Sequence, residues 1–261
     1  MSEIARLDLT VRRRSLIGYT AGMALYTLVI VALYPAFKDV TALDDFVKND
    51  SKAAALFGIS GSLSTTGGWL NGNIYANFLP LVMLLLTIGY GAASLAGQDE
   101  DGTLCLIATL PVRRRRIVLE KAAALVLQAL ALGAGVAVFV YVGRAFQLDV
   151  SAGAAVWTTL AVCLLGIDLG LVAMAVGAFT GGRSTAIAVC TAIAAVSYLI
   201  SSLAPVVSLL DRVKYVSLFY WSIGDDQVTR GVSAADWAVL AGVGIAGLAV
   251  AVRAFRSTDL H

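Results

Sequence analysis

Asp168, in the segment GIDLG, is the one acidic residue well inside a long hydrophobic stretch. An ionised carboxylate at the centre of a bilayer costs about 2.5 to 3.5 kcal/mol on insertion scales. We therefore expect Asp168 to face the protein interior or water and to have a partner. Two interpretations remain open. The carboxyl could form a substrate or proton site, or it could make a structural hydrogen bond to a helix that Gly166 and Gly170 allow to approach closely.

Residues 177–184, GAFTGGRS, come close to the phosphate-loop pattern G-x-x-x-x-G-K-[ST], but Arg183 replaces the lysine. A true phosphate loop follows a β-strand and opens a helix. This segment follows a long apolar run and leads within a few residues into another. We interpret it as a Gly-Gly turn with one basic residue, and we expect the chain to bind no nucleotide itself.

Other catalytic groups are scarce. The single histidine, His261, lies outside every apolar run, so no Ser/His or His-metal arrangement can be assembled within them. No second acid lies well inside an apolar run, where it could share a proton with Asp168. The three cysteines, Cys105, Cys163 and Cys190, lack metal-binding spacing. We therefore predict neither a catalytic nor a metal site.

The most polar stretch, residues 98–121, reads QDEDGTLCLIATLPVRRRRIVLEK and lies between two hydrophobic runs. Residues 98–112 combine an acidic start with an apolar segment, and we predict a short amphipathic docking helix on the cytoplasmic side. Such a helix can transmit the rigid-body motion of a docked partner to two adjoining spans. The acidic residues suit the dipole of its N-terminal end, and Pro111 would end it.

Four consecutive arginines follow this segment. Anionic headgroups attract basic residues near the membrane surface by about 1 kcal/mol each. We expect the arginines to anchor the start of the next span in this way, while a salt bridge to a docked partner is the alternative. They are Arg113, Arg114, Arg115 and Arg116.

Membrane helices must position all these residues. The chain is 59% hydrophobic and only 14% charged, whereas soluble domains have about 45 to 50% apolar and about 25% charged residues. A net charge of +2 gives no reason to expect nucleic-acid binding. Continuous apolar runs of about 20 residues are typical of spanning helices rather than barrel strands. The predicted spans are residues 16–37, 74–96, 117–142, 152–179, 185–203 and 234–252.

The segments outside the spans predict the orientation. Residues 1–15 mix apolar and charged side chains and are predicted to form an interfacial helix, because the following run is of span length and no clear signal-peptide cleavage site follows. If this helix lies on the cytoplasmic side, the inner segments hold twelve basic and seven acidic residues. The outer segments then hold seven basic and nine acidic residues. The positive-inside rule then places both termini in the cytoplasm. Phe219, Tyr220 and Trp221, in the outer segment 205–233, are expected to anchor it at the interface.

Residues 100–121 closely resemble the pattern E-x-G-T-L-x-x-L-L-A-T-P-V-S-R-x-x-I-V-x-x-K of ABC-2 type transporter permeases, the membrane subunits of type V ABC exporters. Cys105 and Arg113 depart from it, since the family often has an acid and a serine there. Shorter similarities follow in the family's order along nearly the whole chain. They are GWL at 68–70, TGGR at 180–183, SLAP at 202–205, FYW at 219–221 and RAFRSTDL at 253–260.

The resemblance implies an all-α fold of six transmembrane helices, with residues 1–261 as one membrane domain. It also implies two separate cytosolic ABC ATPase subunits that bind ATP and Mg, a second permease that is identical or related, and no cofactor on this chain. Residues 98–116 would form the cytoplasmic coupling loop. Its expected ATPase contacts are Asp99, Glu100, Gly102, Thr103, Leu104, Leu106 and Pro111.

We therefore expect the permease of an exporter in a bacterial inner (plasma) membrane, surrounded by lipid and without an ATPase site of its own. The apolar spans suit a hydrophobic or amphiphilic substrate such as a drug, an antibiotic or a lipid. Two other functions remain open. One is an ion-coupled secondary transporter that uses Asp168, and the other, with less support, is a membrane enzyme or scaffold.

Overall fold

The structure, a computed structural model, describes residues 3–38, 63–103, 113–149, 151–224 and 227–257. Within these ranges every regular element is helical, and six helices are long and apolar enough to cross a membrane. The predicted all-α fold with six membrane helices is confirmed. A short N-terminal helix, Glu3–Val11, precedes them. The first to sixth membrane helices are Arg13–Phe37, Thr66–Glu100, Arg114–Val142, Ala152–Thr180, Arg183–Leu203 and Ala234–Ser257.

The second membrane helix is longer than its apolar run, which suggested a start at Ile74. The helix begins at Thr66, where the side chain of Thr65 accepts a hydrogen bond from the Gly68 N–H at 3.2 Å. Trp69 is buried and donates its indole N–H to the Ile30 carbonyl at 3.1 Å. The sequence did not predict the first turns of this helix, because glycine and asparagine lower the mean hydropathy there. The apolar side chains of these turns nevertheless pack inside the bundle. Five-residue π-helical turns interrupt the helix at Asn71–Tyr75 and Ala93–Gly97.

The fourth membrane helix lies at the centre of the bundle and packs against the second, third, fifth and sixth. Small residues permit this close packing. Gly91 of the second helix lies against the carbonyl of Gly170, and Gly133 of the third lies against Cys163. Helices in lipid associate through such close van der Waals contact, because burial from water gives them little driving force.

The turn between the fourth and fifth helices is short and consists of two glycines. Gly181 ends the fourth helix, and Gly182 precedes the fifth. Gly181 has a φ of 65°, the left-handed conformation that ends many helices. Gly182 is extended, and the fifth helix begins at Arg183. This agrees with the Gly-Gly turn inferred from the sequence.

The segment after the fifth helix folds back into the bundle through short helices at Ser208–Val213, Leu218–Ile223 and Gln227–Arg230. Phe219 is only 4% exposed, and its ring lies edge-on to that of Tyr198 with the centroids 5.4 Å apart. The expectation that Phe219 is an interface anchor was therefore wrong. The helical turn that begins at Leu218 directs this ring inward, a result that the local sequence FYW does not reveal.

Candidate functional site

A buried ion pair joins the N-terminal helix to the third membrane helix. The Nζ atom of Lys121 lies 3.3 Å from Oδ2 of Asp8, and the Lys121 side chain has no exposed surface. The same ammonium group donates to Oε1 of Gln98 at 2.7 Å. The hydroxyl of Tyr90 donates to Asp8 Oδ2, also at 2.7 Å. These contacts tie the N-terminal helix, the end of the second membrane helix and the start of the third to one another.

The spacing of the N-terminal helix explains how Asp8 reaches this cluster. Ile4 and Asp8 are four residues apart and both are buried, so they share the face that packs on the bundle. Leu7 and Val11 share another face and are 57% and 74% exposed. From the sequence, Asp8 and Lys121 were expected only to contribute to the charge of the inner segments. The signal for a buried pair was the position of Lys121 inside the predicted third span, 117–142.

A second contact joins the end of the second membrane helix to the start of the fifth. Glu100 Oε1 accepts a hydrogen bond from the backbone N–H of Arg183 at 2.8 Å. Next to it, a Cβ added at Gly97 would lie 3.2 Å from Cδ of Arg183, so the arginine stem runs close to the glycine backbone. Glu100, predicted as a contact to another protein, thus bonds within its own chain.

The other predicted docking residues are placed only in part. Asp99 and Glu100 continue the second membrane helix instead of opening a separate one. Gly102 follows with a φ of 68°, and its N–H donates to the Asp99 carbonyl at 3.0 Å. Thr103 Oγ1 donates to the Gln98 carbonyl at 3.2 Å. Leu104, Leu106 and Pro111 lie outside the described residues, so the amphipathic helix over this segment stays a prediction.

The four arginines lie at the start of the third membrane helix. Arg113 is extended and precedes the helix, while Arg114, Arg115 and Arg116 form its first turn; all four are exposed. Nε of Arg116 lies 2.9 Å from Oε1 of Glu120, one turn further along. Positive charge in a first turn opposes the helix dipole. An anionic surface would offset this repulsion, which is consistent with the predicted anchoring role.

Asp168 is fully buried between the fourth and sixth membrane helices. Its Oδ1 atom occupies space opposite Gly244, where an added Cβ would lie only 2.6 Å away. Neither carboxylate oxygen has a hydrogen-bond partner among the described residues, so the partner expected from the sequence is not found there. The interior location agrees with the expectation. The carboxyl packs closely against Gly244 of the sixth helix, but the structural hydrogen bond predicted from the sequence is not found among the described residues.

A groove of about 480 Å³ lies between the second and fifth membrane helices, and no pattern in the sequence predicted it. Its wall is almost entirely apolar. Near one end, the hydroxyl of Tyr198 donates to Oδ1 of Asn77 at 2.6 Å. The lining residues are Ala76, Asn77, Pro80, Leu81, Leu84, Leu85, Ile88, Gly89, Ile187, Thr191, Ala194, Ala195, Tyr198 and Phe219.

Comparison with known proteins adds one finding to this geometry. The sequence model of a family described as "ABC-2 family transporter protein" matches residues 2–223. The matched range includes the N-terminal helix, the Glu100 and Arg183 contact and both walls of the groove. No curated protein matches the chain.

Proposed function

Because the chain belongs to the ABC-2 transporter family, we propose that it is the membrane-spanning permease of an ATP-binding cassette exporter in a bacterial inner membrane. In this proposal the end of the bundle that carries the N-terminal helix and Arg113 to Arg116 faces the cytoplasm. Two separate ATPase subunits dock at residues 98–112 and bind ATP and Mg. Binding and hydrolysis of ATP in those subunits drive the transport.

One observation carries this proposal: a hydrogen bond joins the two walls of the groove beside the predicted docking segment. The second membrane helix ends at Glu100, and the fifth begins at Arg183, the two residues joined by a 2.8 Å hydrogen bond. A displacement of residues 98–112 would therefore act directly on both walls. Packed helices respond to such a displacement by moving as rigid bodies.

The groove lining indicates the class of cargo. Its apolar wall would receive a hydrophobic molecule or the apolar part of an amphiphilic one, such as a drug, an antibiotic or a lipid. The Asn77 and Tyr198 pair would offer hydrogen bonds to a single polar group. Leu81 and Leu85 line the groove yet are 58% and 56% exposed, so one side of it is open. A second permease, identical or related, would cover that side.

The ion-coupled alternative depends on Asp168. Its carboxyl faces Gly244 and does not line the groove, so a proton bound there would have no direct contact with cargo in the groove. We therefore favour ATP-driven transport. A membrane enzyme or scaffold gains no support from the groove.

Co-purification tests the proposal. The chain would be produced with an affinity tag together with the ABC ATPase encoded nearest to its gene, reconstituted in nanodiscs, and compared with the ATPase alone. We expect ATPase retention on the tagged chain and ATP turnover that rises when the chain is present. Inside-out vesicles should then accumulate an apolar fluorescent dye with ATP and should not do so with a proton gradient alone. Absence of a retained ATPase would refute the proposal, and dye uptake driven by the gradient would support the alternative.

A further inference from the structure

The hydrogen bond between Glu100 and the Arg183 backbone assigns a role to Glu100 that differs from partner docking. We propose that Glu100 is a positioning residue that passes movement of the docking segment to the fifth membrane helix, and that it does not serve as an ATPase contact. This inference rests on the proposed function, because it concerns how movement of the docked ATPase subunits reaches the membrane helices.

The start of the fifth helix explains why a carboxylate is needed there. The first N–H groups of a helix have no partners within it, and the residue before the helix usually supplies an oxygen. Here that residue is Gly182, which has no side chain. The carboxylate of Glu100 instead accepts from Arg183 N, and its negative charge complements the positive end of the helix dipole. The fifth helix is thus capped by a residue of the second.

The end of the second helix contacts both the third and the fifth helix, so a movement of this end would move them as well. Gln98, two residues before Glu100, accepts a 2.7 Å hydrogen bond from the buried Lys121 ammonium. Gly97 lies against the stem of Arg183, where an added Cβ would be 3.2 Å from Cδ, so the two helices are in close contact here. A push on residues 98–103 would consequently reach the third helix through Gln98 and the fifth through Glu100.

The functional consequence concerns the groove. Ile187 and Thr191 of the fifth helix line it, and they lie one and two turns beyond Arg183. If Glu100 fixes the start of the fifth helix relative to the second, the separation of the two walls follows the position of the docking segment. Loss of the hydrogen bond would allow the docking segment to move without moving the fifth helix.

Substitution at Arg183 can remove the donor without removing the helix. Arg183→Pro eliminates the backbone N–H, yet proline is well tolerated as the first residue of a helix. The preceding Gly182 has φ −110° and ψ 117°, the extended conformation that a residue before proline prefers. Arg183→Ala is the matched variant, because it loses the same side chain but keeps the N–H. Glu100→Ala removes the acceptor.

The first readout is independent of any ATPase. In hydrogen–deuterium exchange of the nanodisc-reconstituted chain, Glu100→Ala should speed exchange at the amides of residues 183–187. Asp101→Ala removes a neighbouring exposed carboxylate and should leave that exchange unchanged. Unchanged exchange in Glu100→Ala would refute the contact itself.

The second readout is coupling, with ATPase retention and permease-dependent ATP turnover measured on the same samples. Glu100→Ala and Arg183→Pro should both retain the ATPase. The stimulated ATP turnover of Glu100→Ala should be about fivefold below that of wild type, and that of Arg183→Pro about fivefold below that of Arg183→Ala. That factor corresponds to a capping hydrogen bond of about 1 kcal/mol. The double variant should turn over ATP no more slowly than Arg183→Pro alone, because the bond that Glu100→Ala removes is already absent there.

The outcomes separate the two proposals. Loss of ATPase retention in Glu100→Ala alone would identify Glu100 as a docking contact and overturn the inference. Equal turnover of Arg183→Pro and Arg183→Ala would also overturn it. Failure of the wild-type chain to retain an ATPase would defeat the proposed function and the transmission role with it, while hydrogen exchange would still decide whether Glu100 caps the fifth helix.

Discussion

The ammonium group of Lys121 lies 3.3 Å from the carboxylate of Asp8 across 113 residues of sequence, and the lysine side chain is completely buried. Taking two charges out of water is costly, and their mutual attraction offsets that cost only when both remain. Gln98 and Tyr90 complete the hydrogen bonding around the pair. The pair therefore makes attachment of the N-terminal helix dependent on both partners.

Removal of one partner should be more damaging than removal of both. Lys121→Met leaves the Asp8 carboxylate buried beside Tyr90 without its counter-charge, and we expect a loss of about 3 to 5 kcal/mol in the free energy of unfolding. Addition of Asp8→Asn to Lys121→Met should recover part of this loss. Thermal unfolding of the detergent-solubilised protein measures both effects.

Arg13→Met provides the control, because Arg13 is an exposed cation at the start of the first membrane helix. Its effect should stay within about 0.5 kcal/mol. Equal destabilisation by Lys121→Met and Arg13→Met would contradict the importance of the buried pair.

The fit between Asp168 and Gly244 predicts a steric coupling. Gly244→Ala would place a Cβ 2.6 Å from Asp168 Oδ1, and overpacking of this kind typically costs about 1 to 3 kcal/mol. Asp168→Ala should relieve the clash, so the double variant should unfold at a higher temperature than Gly244→Ala alone. Gly242→Ala is the matched control, since nothing lies within 4 Å of a Cβ added there. Similar effects of the two alanine substitutions would disprove the coupling.

The role of Asp168 in transport has its own test. Asp168→Asn keeps the shape of the side chain but can no longer ionise. Because the carboxyl packs against the sixth helix and does not line the groove, we expect ATP-driven dye uptake by this variant to stay within about twofold of wild type. A loss of uptake with normal assembly, measured by uptake assay and size-exclusion chromatography, would instead support the substrate or proton site.

Local patterns in the sequence were sufficient for some of these features and insufficient for others. Continuous apolar runs located six membrane helices, because crossing the hydrocarbon needs a fixed length of hydrophobic chain. The contacts of Asp8 and Glu100 join residues 113 and 83 positions apart, and no periodicity encodes such a distance. The acidic pair Asp99 and Glu100 suggested the N-terminal end of a docking helix, whereas Glu100 in fact faces the N-terminal end of the fifth membrane helix.

The groove between the second and fifth helices predicts a site where bulk blocks transport. Leu85 lines it and is 56% exposed, so Leu85→Trp should fill part of the groove without disturbing the core. Dye uptake should fall by about tenfold or more, the effect of about 1.4 kcal/mol at a binding site, while ATPase retention stays normal. Leu25→Trp enlarges a leucine that is 62% exposed on the first helix, outside the groove. Equal losses in the two variants would argue against the groove as the transport path.

The four arginines are expected to bind lipid headgroups, whereas the docking segment is expected to bind the ATPase. If Arg113 anchors the chain to anionic headgroups, Arg113→Glu should lower retention of phosphatidylglycerol by the purified protein, because each basic residue near such a surface contributes about 1 kcal/mol. ATPase retention should be unchanged. The reverse result, normal lipid retention with loss of the ATPase, would support a salt bridge to the partner.

Changes in residues 104–110 should affect ATPase retention and leave membrane insertion intact. These residues carry the apolar surface of the predicted docking helix, LCLIATL, and burial of an apolar helix face in a partner groove is a common source of affinity. Their deletion, or their replacement by a Gly-Ser linker of the same length, should abolish ATPase retention. Insertion should be intact, because the flanking membrane helices end at Glu100 and begin at Arg114. Membrane fractionation and ATPase pull-down measure the two properties separately. Retention of the ATPase by the linker variant would refute the docking assignment, since that variant keeps the length of the loop and lacks only its apolar surface.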